Sequence, residues 1–174
     1  AQQIHKEISF QICSGETVTI LGPSGTGKTL ILKMIIGLIR PTSGSVTVLD
    51  SDVHALSDEK LRLMRMNVGM LFQGAALFDS LTVFENVAYA LREFGQQCSN
   101  PITETRIEET VQEKLEIVGL PGIGQKFPSQ LSGGQRKRVG LARALASAPK
   151  IMLYDEPTTG LDPTTARRID ELMV

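Results

Sequence analysis

The run GPSGTGKT, Gly22 to Thr29, constrains this chain more than any other segment. It has the spacing GxxxxGK followed by Ser or Thr, in which a glycine-rich turn passes into a helix and cradles phosphate. Gly22, Gly25 and Gly27 let the backbone turn its N–H groups inward. Pro23, Ser24 and Thr26 complete the loop, and Leu30 opens the helix behind it, whose positive dipole end adds to the anion site. Lys28 would neutralise the β- and γ-phosphates, and the Thr29 hydroxyl would ligate Mg²⁺. The bland alternative is a glycine-rich turn with an incidental lysine. The flanks argue against it: Thr17 to Leu21 (TVTIL) reads as a buried strand, and Leu30 to Ile39 as a buried helix. ATP and Mg²⁺ are therefore the expected cofactors.

Two later segments fit the same chemistry. In IMLYDE, Ile151 to Glu156, an apolar strand delivers two acids. Asp155 would sit in the Mg²⁺ shell, and Glu156 would polarise a water in line with the γ-phosphate. An apolar strand with an acidic turn is common by itself, and it gains meaning from the loop upstream. In LSGGQ, Leu131 to Gln135, Ser132 and Gln135 have capping-box spacing, and Gly133 and Gly134 open the helix. A capped helix N-terminus is also an anion site. Two glycines there cost about 1 kcal/mol each relative to Ala, which a close approach to the backbone would explain. Two phosphate sites with one nucleotide per copy imply a two-fold dimer, with ATP held between one copy's Gly22–Thr29 loop and the other's Ser132–Gln135.

Weaker candidates surround these. The Gln73 amide could reach Mg²⁺ or the attacking water, and Gln73 suits a hinge; an isolated Gln is more often an ordinary loop residue. Asp162 could reach across the dimer or simply shape the turn beside Pro163. Arg136, Lys137 and Arg138 read as a solvated helix face. His5 and His54 lack metal-like partners, and Cys13 and Cys98 form no CxxC or zinc pattern.

Ser45 to Leu49 and Val68 to Phe72 read as further strands, with a short helix from a Ser57 cap through Met64 between them. From Thr82 the pattern turns helical. Thr82 and Glu85 form a capping box for a helix through Arg92, and 96–101 reads as a polar loop. Ile107, Val111, Leu115 and Val118 share one helical face that ends at Gly119. A further helix from Ser132 ends before Pro149. The expected fold class is α/β: a nucleotide-binding core from residues 1–73 and 135–174, with a mostly helical subdomain, 74–134, inserted.

With 174 residues, 41% hydrophobic and 21% charged, the chain can bury one domain core, and its net charge of −1 offers no field for nucleic acid. No stretch is long and apolar enough to span a bilayer. Any membrane role would come through a partner, at the cytoplasmic face of an inner membrane. The chain starts at Ala1 without Met and stops at Val174 inside a helical pattern, as a chain cut at both ends would.

The ordered set GPSGTGKT, Gln73, LSGGQ and IMLYDE followed by GLD resembles the ABC ATPase family along essentially the whole chain. The resemblance implies a phosphate-loop (RecA-like) core, a sandwich dimer, Glu156 as catalytic base beside Lys28 and Gln73, and Gln73 as the link to a membrane permease subunit. Gln73 to Glu93 and Tyr154 to Pro163 are similar to the ATPase subunits of Mla-type phospholipid transporters, which implies an MCE-domain partner. Gln135 departs from that branch, which often has Met there. The family's switch histidine would lie beyond the last residue, and its adenine-stacking aromatic at or before Ala1; Phe10 is too close to Gly22 to replace it. The resemblance therefore implies weak nucleotide binding and poor hydrolysis by this chain alone. The runner-up is the motor of a nutrient importer for amino acids or metals. Soluble relatives acting on DNA or ribosomes usually carry a coiled-coil or zinc insertion, or a second LSGGQ. Neither insertion stands between Lys28 and Ser132. In a phosphate-loop kinase LSGGQ would have no role.

Overall fold

The computed structural model describes residues 4–95 and 102–173, so Cys98 and the 96–101 loop lie outside the described residues. The chain forms two compact units, Ala1–Leu61 and Arg62–Val174, each described by itself.

In the first unit, helix α1, Lys28–Ile35, follows directly on the glycine-rich loop. It starts two residues earlier and stops four residues sooner than the apolar run suggests. The reason is Gly37, which takes φ +69° and closes a Schellman motif: its N–H donates to Met34 O at 3.0 Å, and Leu38 N–H to Lys33 O at 2.8 Å. Ile31 and Ile36 are buried, while the residues between them are only half-buried. The expected strand at Thr17–Leu21 does not form. Val18 is 50% and Leu21 87% exposed, and among the described residues no strand pairs with this segment. Apolar, β-branched residues favour a strand only where a neighbour supplies its ladder of hydrogen bonds. The strand expected at Ser45–Leu49 shrinks to β1, Thr47–Val48, which turns back on β2, Ser51–Asp52. Leu49 (φ 48°) and Asp50 (φ 61°) are both left-handed, as a two-residue hairpin requires. Leu-Asp is no ordinary signal for such a turn.

Helix α2, Asp58–Met66, begins in the first unit and ends in the second. Ser57 Oγ accepts from Lys60 N–H at 3.4 Å, at the expected start.

In the second unit, β3, Val68–Leu71, and β4, Ile151–Tyr154, pair in parallel with Leu71 opposite Tyr154. A parallel pair needs a long crossover, and three helices supply it: α3, Val83–Gly95; α4, Glu104–Ile117; and α5, Gly133–Ala146. Each begins where its capping residues stand. Glu85 N–H donates to Thr82 Oγ1 at 3.2 Å, and Thr82 N–H to Glu85 Oε2 at 2.7 Å, which holds the Glu85 carboxyl below its ordinary value. Ile107, Val111, Leu115 and Val118 are all buried, and Gly119 ends α4 at φ +67°. They join Leu71, Val83, Val87, Leu91, Val139 and Leu141 in one core. Each such side chain contributes roughly 1.5–3 kcal/mol by leaving water. Strand β4 is half-buried rather than buried, and α6, Pro163–Leu172, follows it. Among the described residues no helix is long and apolar enough to cross a membrane.

Candidate functional site

The glycine-rich loop of the first unit is exposed from Gly22 to Thr26. Gly25 (φ +81°) and Gly27 (φ +92°) are left-handed, the conformation that turns successive N–H groups to one side. Around Gly25 the space where a Cβ would stand is open, whereas at Gly27 it is filled by Ile4 and His5. The His5 ring also lies 3.2 Å from Thr26 O. Thr26 Oγ1 donates to Pro23 O at 2.9 Å, and the Lys28 ammonium donates to Gly22 O at 2.9 Å and Pro23 O at 3.0 Å. The lysine therefore stands over the mouth of the loop. Its helix α1 brings Thr29 and Leu30 directly behind. An exposed glycine-rich turn, a cation and a helix N-terminus fit a nucleotide's phosphates.

The second unit builds the acidic part. Because β3 and β4 run parallel and in register, they end side by side, and their C-terminal edge carries Gln73 from one and Asp155 and Glu156 from the other. Asp155 is buried, and its N–H donates to Leu71 O at 2.9 Å. Gln73 Nε2 donates to Glu156 Oε2 at 2.9 Å, and Thr159 Oγ1 donates to the same oxygen at 3.2 Å. Glu156 has φ +48°, a conformation that costs a non-glycine residue on the order of 1–3 kcal/mol and that clusters at functional sites. Gln73, one of the weaker sequence candidates, thus meets the carboxylate expected to act as base. Among the described residues no group of three or more His, Cys, Asp and Glu side chains could hold a metal. A Mg²⁺–nucleotide does not need one, since it uses one or two carboxylates plus phosphates and water.

At the start of α5, Ser132 Oγ accepts from Gln135 N–H at 3.2 Å, and Ser132 N–H donates to Gln135 Oε1 at 2.9 Å. The two glycines differ. A Cβ on Gly134 would stand 2.7 Å from Thr165 Cγ2 of the chain's own α6, so that close approach is internal. At Gly133 the nearest atom is Arg136 Nη2 at 4.0 Å, which leaves this face of the helix N-terminus open. Asp162 caps α6: its Oδ1 accepts from Thr164 N–H at 3.1 Å and Thr165 N–H at 3.0 Å. The bonds from Thr165 hold its carboxyl below the ordinary value.

The basic run 136–138 is not the solvated face expected of it. Lys137 is only 7% exposed, and its ammonium donates to Thr159 O at 2.6 Å and to Glu156 O at 3.3 Å. Burial pushes its pKa down, while the charge of Glu156 pulls it back up. Arg138 donates to Val118 O and Gly119 O, each at 3.1 Å, and the exposed Arg136 to Leu131 O at 2.6 Å. A signal for Lys137 stands in the sequence, since Lys137, Leu141 and Ala144 lie on one helical stripe.

Two further residues escaped sequence reasoning. Arg143 donates to Ala75 O and Ala76 O, each at 2.7 Å, where both alanines are left-handed. It ties α5 to the loop that follows Gln73, and burial lowers its pKa. Asn86, fully buried on α3, accepts from Phe78 N–H at 2.8 Å and donates to the carbonyls of Phe78, Leu81 and Thr82. A polar residue between Val83 and Val87 on an apolar helix face was its signal. Asn86→Ala is expected to destabilise the protein by about 1–3 kcal/mol, because buried backbone groups lose their partner. Urea unfolding checks this, and a loss below about 0.5 kcal/mol, the range of plain surface substitutions, would refute it.

The family described as "ABC transporter" matches residues 5–159. The chain is 42% identical over its whole length to the "probable ribonucleotide transport ATP-binding protein mkl" of Mycobacterium leprae (strain TN), of which it covers 49%. It is 46% identical over 168 residues, 97% of the chain, to the "methionine import ATP-binding protein MetN" of Cupriavidus pinatubonensis (strain JMP 134 / LMG 1197), of which it covers 47%. It thus spans about half the length of these relatives. Among solved structures, it is 37% identical to the ATP-binding cassette MJ0796, in a dimeric post-hydrolysis state bound to ADP and Pi. That likeness has a TM-score of 0.85 and covers 94% of this chain and 70% of the other. The α/β phosphate-loop fold expected from sequence is thereby established. The names of these relatives speak of ribonucleotide transport and methionine import, and neither gives a counterpart for a phospholipid substrate or an MCE-domain partner. With a match that runs from the residue after Ile4 to the turn beyond Glu156, this chain belongs to the ABC transporter family.

Proposed function

We propose that this chain is the nucleotide-binding part of an ATP-hydrolysing transporter motor, most of all of an importer for a small polar solute. The observation that carries the hydrolytic reading is the 2.9 Å contact of Gln73 with Glu156 at the paired ends of β3 and β4. Residues 22–30 hold the phosphates, with Lys28 supplying charge. Thr29, Gln73 and Asp155 are the residues that would hold Mg²⁺, which would offset phosphate charge. Glu156 orients and deprotonates the attacking water. Ser132 to Gln135 of a second copy close the site, and Asp162 stands beside that closure. Open space at Gly133 and the dimeric state of the MJ0796 cassette support this arrangement. Residues 1–73 and 135–174 form the nucleotide core, and 74–134 the helical subdomain that meets the permease.

The docking face includes Phe78. It is 43% exposed and packs against the equally exposed Tyr89 with ring centroids 4.8 Å apart and planes tilted by 43°. Leu81 and Phe84 are half-buried, and Phe84 packs against the core, so a core role suits it better. A peripheral place on the cytoplasmic face of the inner membrane follows from a partner that spans it.

The importer reading rests on the names of the relatives, and the phospholipid reading on the likeness of Gln73–Glu93 to Mla-type subunits. The full-length protein, pulled from detergent-solubilised membranes, separates them. A permease with a solute-binding protein is the expected result. An MCE-domain protein in the eluate would replace the importer by phospholipid transport. Ribosomal or DNA-bound partners without any membrane subunit would overturn the transporter reading.

A further inference from the structure

The turn that carries Glu156 is held from below by a side chain that the proposed chemistry does not use. Thr159 N–H donates to Glu156 O at 3.3 Å, closing the turn, and Thr159 Oγ1 returns to the Glu156 carboxylate. Beneath it, the Lys137 ammonium donates to both backbone carbonyls of that turn, Glu156 O and Thr159 O. Its neighbours on the stripe, Leu141 and Ala144, are buried and apolar. A buried lysine is costly unless its ammonium is hydrogen-bonded. Those bonds run from the helix that LSGGQ opens to the turn of the acid, and they clamp a residue in a left-handed conformation that it would otherwise leave.

We propose that Lys137 is a positioning residue for ATP hydrolysis: by pinning the carbonyls of Glu156 and Thr159 it fixes the backbone that aims the Glu156 carboxylate. The proposal rests on the reading of Glu156 as the base. Lys137 touches no reacting atom, so its loss acts on turnover and leaves nucleotide binding alone.

The test is steady-state ATP hydrolysis and nucleotide affinity of the full-length protein. Lys137→Met keeps an unbranched stem but no donor. It is expected to lower kcat about 10–100-fold, the scale on which small misplacements of catalytic groups act. KM and nucleotide affinity should stay unchanged, as expected when only transition-state stabilisation is lost. Lys137→Gln, which keeps a donor on a shorter stem, should recover part of kcat. In a Glu156→Gln background, Lys137→Met should reduce the residual turnover no further, since it acts through the group already lost. A purely structural role would lower that residual rate again, and this result overturns the proposal. So does an unchanged kcat in Lys137→Met, or a KM that rises in step with the loss of kcat. If the Met variant does not fold, Lys137→Gln decides alone: reduced kcat at constant KM supports the proposal, and wild-type kcat overturns it. Wild-type turnover by Glu156→Gln alone would instead remove the base reading beneath it.

Discussion

Glu156→Gln in the full-length protein is expected to lower ATP turnover about 10²–10⁴-fold, the usual contribution of a general base. Nucleotide binding should survive. Glu156 Oε2 accepts from Gln73 Nε2 and from Thr159 Oγ1, and a glutamine amide oxygen can accept from both. The side chain therefore keeps its place and loses only its basicity. With hydrolysis blocked, ATP should hold two copies together at the Gly22–Thr29 loop and the Ser132–Gln135 helix start. Light scattering with ATP and Mg²⁺ reads this directly. A variant that stays monomeric under those conditions would sink the composite site, and one that turns over at the wild-type rate would remove Glu156 from the chemistry.

Lys28→Ala acts on the other half of the problem. The ammonium stands over the loop on the carbonyls of Gly22 and Pro23, ready to exchange them for phosphate oxygens. Its loss should weaken ATP binding by about 1.5–3 kcal/mol, the worth of a hydrogen bond to a charged group, which is roughly 10–150-fold in Kd. The backbone donors remain, so binding should weaken rather than vanish. Titration with a fluorescent ATP analogue measures the change. Unchanged affinity would speak against the loop as the phosphate site.

Local chemistry made much of this protein legible from its residues. Helices α3 and α5 begin after Thr82 and Ser132 because these side chains accept the N–H groups that a helix leaves unpaired. The burial of Ile107, Val111, Leu115 and Val118 follows from their spacing along one helix. The candidate residues of the site were legible for a similar reason: a glycine-rich loop, a capped glycine pair and an acid pair each write their geometry into a few neighbouring positions.

What could not be read there depended on partners distant in sequence. TVTIL is apolar and β-branched like a strand, yet a strand is made by its neighbour's hydrogen bonds, and none of the described strands takes it up. Leu49-Asp50 turns a hairpin with two left-handed residues that no turn preference announces. Lys137 looked like part of a solvated basic run until Glu156 and Thr159, far along the chain, gave its ammonium two carbonyls and its stem a buried place. Asn86 and Arg143 likewise hold the loop after Gln73 through backbone groups that only folding brings near. The residues alone marked the groups suited to bind phosphate, carry charge or take a proton, because these are properties of side chains and short backbone runs. That Gln73 meets Glu156, and that Lys137 reaches the backbone of the Glu156 turn, came from folding, because the parallel register of β3 and β4 closes across a long crossover that no local pattern records.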